Sequence, residues 1–180
     1  MILGNAASRS LMLLGATLAA AVAAASATAA PRTPAAALSP LESGVLVDIN
    51  VFRAQHGLLK LRLNRRLTAA ARAHSSQMAK DGYFAHESAD GSPFWKRVQS
   101  FYASSPWRFW SVGENLLWSS PSIDPNRALK LWLASPEHRK NLMNPRWREI
   151  GVSAVHATSA PGTYKGMDVT IVTTDFGVRR

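Results

Sequence analysis

Asp168-Val169-Thr170-Ile171-Val172-Thr173-Thr174 decides the fold class. Six of its seven side chains are β-branched, which disfavours a helix and suits a pleated, half-buried surface. Upstream, Gly151-Val152-Ser153-Ala154-Val155 has the same character, and Ser159-Ala160-Pro161-Gly162 between the two is turn-forming. The pair predicts two adjacent antiparallel strands near the end of the chain.

Before residue 148 the pattern is helical. Ser39-Pro40-Leu41-Glu42 supplies a cap, a first-turn proline and an acid three residues after the cap. Leu41, Val45, Ile49 and Phe52 then form one apolar stripe on a helix that runs to about His56 and ends at Gly57. A second helix is expected from Asn64 to Asp81, with Leu67, Ala71, His74 and Met78 on one face and Gly82 as its stop. Ser92-Pro93 starts a third, carrying Phe94, Val98 and Phe101. Asp124-Pro125 opens a fourth through Ala128, Leu129, Trp132 and Leu133, which Pro136 ends or interrupts. Residues 102–122 between them are turn-rich and aromatic, and Trp107, Trp110 and Trp118 are expected to be mostly core. Helices first and a small sheet last make an α+β or layered α/β/α domain.

Further outward, the amino terminus reads as an export signal. Arg9 is followed by an apolar run from Leu11 to about Ala25 and a small-residue exit, Ala25-Ser26-Ala27. Residues 1–27 are therefore expected to be a signal peptide cleaved after Ala27, and the competing reading is an uncleaved anchor. Residues 28–39 form a Pro/Ala/Thr lead-in, and residues 40–180 form one domain, with no transmembrane segment remaining after cleavage. Secretion to periplasm, cell wall or medium follows. The chain has no cysteine, so packing alone must stabilise it, which its size permits.

The formal net charge of +10 falls to +9 after cleavage, because the removed segment carries Arg9 and no acid. Nucleic acid is the usual partner of such a charge, but export argues against it. An anionic envelope polymer or lipid surface is the expected neighbour.

Five histidines are present, at 56, 74, 86, 138 and 156. His74 reads as a hydrogen-bonded core residue, and His56 as a partner for the last carbonyls of its helix. His86 sits on a loop after Tyr83-Phe84, where functional side chains are commonly mounted. Glu114 lies in Gly113-Glu114-Asn115-Leu116 among tryptophans, so it must be paired, hydrogen-bonded or protonated if buried. His138 falls in Ser135-Pro136-Glu137-His138-Arg139, just beyond a helix. Spacing alone does not join these three. It also shows no His-Glu-x-x-His, no close-set metal ligands, no phosphate loop and no Gly-x-Ser-x-Gly elbow.

Several segments in order resemble the bacterial branch of the CAP superfamily, the SCP-domain group of cysteine-rich secretory proteins, antigen 5 and pathogenesis-related 1 proteins. They are Asn50-Val51-Phe52-Arg53, Leu67 to Met78, Tyr83-Phe84-Ala85-His86, Gly113-Glu114-Asn115-Leu116, Trp132 to Met143, Gly151-Val152, and Thr174-Asp175-Phe176-Gly177. The resemblance implies a three-layer α–β–α sandwich with a central antiparallel sheet. It also implies a further strand or two, within residues 105–117 or near Tyr164.

The family cleft is lined by two histidines and two acids and in some members holds zinc. Carried over, it gives His86 and Glu114, with His138 as the second imidazole and Asp175 as a further acid. Ala134 and Ser135 stand where animal and plant members place a second glutamate. His86, Glu114 and His138 are thus the candidate catalytic and metal-ligating residues, with a divalent metal such as zinc as the candidate cofactor. Asn50 and Arg53 are expected to brace backbone at the cleft edge. The resemblance implies a secreted binding or interaction domain whose ligand is a lipid, an envelope glycan, a peptide or a partner protein. The alternative is an extracytoplasmic hydrolase using zinc or a His/Glu base.

Overall fold

Ser39 caps the first helix as its sequence implies. Its hydroxyl accepts from the Glu42 amide, and the Glu42 carboxylate accepts from the Ser39 amide at 2.7 Å. The computed structural model describes residues 37–180. The expected export signal and most of the lead-in lie outside the described residues. The elements are α1 (Pro40–Gln55), β1 (Arg62–Leu63), α2 (Arg65–Asp81), α3 (Phe94–Phe101), β2 (Trp110–Ser119), α4 (Pro125–Ala134), α5 (Pro136–Met143), β3 (Glu149–Ala160) and β4 (Met167–Arg179). A short 3₁₀ turn covers Gly162–Tyr164.

The sheet order is β1-β3-β4-β2, antiparallel except for the two-residue β1, which runs parallel to β3. Strand alternation sends Val169, Ile171, Thr173 and Asp175 of β4 toward α2, and Val172, Phe176 and Val178 toward α1, α4 and α5. On the second face Ile49, Trp132, Leu142, Ile150, Val172 and Phe176 form one dry cluster. Met78, Tyr164 and Ile171, with Leu67, Val98 and Tyr102 beside them, fill the first. Each fully buried large side chain contributes roughly 1.5–3 kcal/mol. The result is the α–β–α sandwich, and among the described residues its buried apolar side chains lie between residues 45 and 178.

Helix packing against the sheet requires a missing side chain. A Cβ on Gly151 would stand 2.1 Å from the Leu67 carbonyl carbon and 2.2 Å from the Thr68 nitrogen, so α2 rests on bare backbone of β3.

Several expectations change. The two strands extend well beyond the β-branched runs, to 12 and 13 residues. The further strand is β2, whereas Tyr164 belongs to the 3₁₀ turn. Pro136 does not only end a helix. It also occupies the first turn of a new one, α5, because an N1 proline has no amide to satisfy. Trp107 is 44% exposed, outside the core, and Trp110 and Trp118 are half-buried.

Candidate functional site

β2 is an edge strand, and its pleat divides the Gly-Glu-Asn-Leu motif between the two faces of the sheet. Glu114 points toward α2 and α3, while Asn115 points toward α5. Each residue recruits one histidine. The His86 Nδ1 lies 2.8 Å from Glu114 Oε1, and Asn115 Nδ2 donates to the His138 carbonyl at 3.1 Å. Asn141 of α5 donates to both the Glu114 carbonyl (3.0 Å) and Asn115 Oδ1 (2.9 Å). The open edge of β2 is thereby tied to the helix that carries His138. Gly113 is required there, because a Cβ would meet the Trp147 ring at 2.8 Å and Asn141 Oδ1 at 3.0 Å.

A cleft of about 810 Å³ runs over this edge, with His86 and Phe94 on one wall, Val112 to Glu114 as its floor, and His138, Asn141 and Met143 on the other wall. The three residues expected from the sequence thus line one cleft. His138 lies just beyond α4, as expected, and there it falls within a further helix, α5. It is half-buried, and desolvation, then the nearby His86, lower its pKa and favour the neutral ring.

Glu114 is buried, with both oxygens engaged. His86 bonds one, and Arg97 of α3 bonds the other through Nη2. A carboxylate in this position can only accept, so the His86 Nδ1 carries the proton and donates. In the neutral form of this half-exposed ring, Nε2 is then the lone-pair nitrogen. Arg97 also donates to the His86 carbonyl and to Ser88 Oγ, both at 3.2 Å, which fixes the loop.

Behind this pair stand two groups kept neutral. Asp175 pairs with Glu114 across the β4–β2 ladder and is fully buried. Burial first, and then the Glu114 charge, raise its carboxyl well above the ordinary range. His74 is also fully buried, and desolvation lowers its pKa to about 4. Its neutral ring bonds the Ala85 carbonyl through Nε2 at 2.9 Å, directly before His86. The reading of His74 as a bonded core residue holds, and its position gives it a part in placing His86.

Arg97 is the functional residue that sequence reasoning missed. It stands three residues after Phe94 and one before Val98, next to the stripe used to predict α3, so an inward-leaning cation was the available signal. His56 bonds the Phe52 carbonyl as expected, and Asn50 and Arg53 bond the backbone of Leu61, Leu59, Leu142 and Asn144. His156 lies on β3 against Thr170, away from the cleft.

Among the described residues no group of three or more His, Asp or Glu side chains is arranged to hold a metal ion. The local reason is charge. The Arg97 guanidinium already neutralises Glu114, and a dication there would face a fixed cation across a few ångströms. The residues as folded do not fit zinc.

The sequence pattern of the cysteine-rich secretory protein family, CAP, matches residues 46–176. The chain belongs to the CAP family. Among its relatives, YkwD of Bacillus subtilis is 35% identical over 123 residues, covering 68% of this chain and 45% of YkwD. The CAP domain here therefore spans less than half the length of that relative. An extracellular protein of Bacillus anthracis containing an SCP domain superposes with a TM-score of 0.56 and 27% identity, covering 81% of this chain and 45% of that one. An outer surface protein of Borrelia burgdorferi gives 0.58 at 21% identity, covering 76% of this chain and 90% of that one, and shares the fold. Among the described residues of the CAP domain no helix is long and apolar enough to cross a membrane.

Proposed function

We propose that this chain is an extracytoplasmic binding domain whose cleft over the β2 edge captures a polar envelope ligand, a glycan or a short peptide. The observation that carries this reading is the His86–Glu114 bond, which fixes the ring and leaves Nε2 as an acceptor beside His138. The cleft volume suits a small ligand or a segment of a polymer. Its walls alternate polar groups (His86, Glu137, Lys140, Asn141) with Phe94 and Met143, a mixture that favours a hydroxyl- or amide-rich ligand over a bare lipid chain. The export signature at residues 1–27 supports the location, as does the description of the Bacillus anthracis neighbour as extracellular.

The same bond favours one second reading. A neutral imidazole oriented by a carboxylate is the usual form of a general base, so a hydrolase that activates water at His86 is the competitor. Among the described residues no serine, threonine or cysteine lines the cleft, so a covalent route lacks a nucleophile there.

Incubating the protein with labelled cell-wall fragments separates the readings. A binding domain retains intact fragments stoichiometrically, and the retention falls in His86→Ala and His138→Ala. Catalytic release of shortened fragments that stops in His86→Ala would instead establish the hydrolase. Retention unchanged in both variants would remove the cleft from the function.

A further inference from the structure

Six arginines gather at one end of the sheet. Two hollows adjoin there and share Arg179. Arg65, Arg66 and Trp107 line one, and Arg146, Arg148 and Arg180 line the other, with no acid in either. The strand register creates this grouping. β4 ends at Arg179, opposite Trp110, Arg180 exchanges backbone bonds with Phe109, and the Arg148 amide bonds the Gly177 carbonyl. Among the described residues none of these six arginines forms an ion pair. The nearby acid, Glu149, is half-buried and accepts from Tyr102 and Asn64.

We propose that this end of the sheet docks on an anionic phospholipid bilayer. Six unpaired guanidiniums repel one another in the isolated domain, and an array of phosphates relieves that repulsion by bidentate bonding. The first turn of α2 adds to the field. It carries Arg65 and Arg66 and no acid, the reverse of what the helix dipole prefers.

The apolar side chains in the same hollow select a bilayer over a soluble polyanion. Trp107 is 44% exposed and Leu63 42%, and the Arg179 guanidinium lies 5.2 Å from the Trp107 ring centre. An indole beside arginines suits the headgroup boundary, where an apolar layer lies beneath the phosphates. A dissolved polymer offers those two side chains nothing.

Docking would also place the cleft. Pro145 lines both the arginine hollow and the cleft, so the cleft opens beside the docked surface. The surface stands on its own charge and shape, whatever the cleft binds.

The test uses residues 28–180, which contain every buried apolar side chain among the described residues, and sedimentation with vesicles of phosphatidylcholine alone or mixed with phosphatidylglycerol. Binding is expected only with the anionic lipid, and it should weaken steeply with salt. R65Q/R66Q/R146Q/R180Q should reduce partitioning by at least about a hundredfold. K80Q/R127Q/K130Q/R139Q, with the same net charge, should stay within about threefold. Trp107→Ala should weaken binding without removing it. His86→Ala should leave it unchanged, which separates this result from any failure of the cleft reading. Equal loss in the two charge variants, equal binding to neutral vesicles, or capture of soluble polyphosphate with anionic vesicles ignored would each overturn the proposal.

Discussion

Glu114 and Asp175 are cross-strand neighbours that share a buried environment and divide its charge unequally. Glu114 faces the donors, with the Arg97 guanidinium on one oxygen and the His86 ring N–H on the other. Asp175 bonds neither of them, and its neighbour is the Glu114 carboxylate itself, to which only the acid form can donate. Burial and the neighbouring carboxylate therefore hold it in the acid form. One carboxyl orients the cleft histidine, and the other backs it without adding a second negative charge.

This division has a definite pH signature. A carboxyl whose folded pKa is raised is harder to ionise folded than unfolded, so its stability cost is absent below the ordinary value of 3.8 and grows as pH rises toward the folded value. Asp175→Asn removes that cost. Urea unfolding across pH should show the variant gaining on the native chain as pH rises from about 4. A gain that grows as pH falls would contradict the assignment.

Arg97 should behave as a structural counter-ion. Its side chain is 8% exposed and that of Glu114 is fully buried. Arg97→Met leaves a buried carboxylate unpaired and should cost about 3 kcal/mol or more. The double variant Arg97→Met/Glu114→Leu should cost less than the sum of the two singles. Denaturant titrations of the four proteins measure that coupling, and additive losses would show that the pair is not coupled.

The helices were legible because each brings its own punctuation. Ser39 with Glu42, Asn64 with Gly82, and Asp124 with Pro125 all appear in the structure where the sequence puts them. β2 was not legible from periodicity. Gly113, Glu114 and Asn115 lack β propensity, and their place in the sheet is set by Trp147, Asn141 and Arg97, which are distant in sequence. The cleft histidines stood out by their local positions, but only the family resemblance joined them to Glu114, since a gap of 28 residues separates His86 from Glu114 on β2. Trp107 was misplaced for a related reason. Aromatic character alone does not distinguish a core ring from one held at the surface beside an arginine.

His74 should resist protonation until strongly acidic pH. Its folded pKa of about 4 lies below the ordinary 6.5, so its contribution is present above about 6.5 and is lost as pH falls through about 4. NMR titration should leave the His74 ring signals unshifted from neutral pH down to about 5, and the Nε2–H bond to the Ala85 carbonyl should persist throughout, because the added proton goes to Nδ1. A His74 midpoint near 6.5 would refute this arrangement.

Zinc should not bind stoichiometrically. With Arg97 on Glu114, equilibrium dialysis of protein without an added histidine tag should leave less than one equivalent bound at micromolar zinc. Tight binding of one equivalent that disappears in His86→Ala and His138→Ala would mean that Arg97 moves aside, and would restore the metal route.

The cleft itself is tested most directly by NMR. Soluble glycan–peptide fragments of bacterial cell wall are titrated into ¹⁵N-labelled residues 28–180 while the amide signals are followed. The account predicts saturable shifts confined to His86, Gly113, Glu114, His138 and Asn141, lost in His86→Ala/His138→Ala with the remaining spectrum preserved. Saturable shifts elsewhere on the domain, or identical shifts in the double variant, would contradict it.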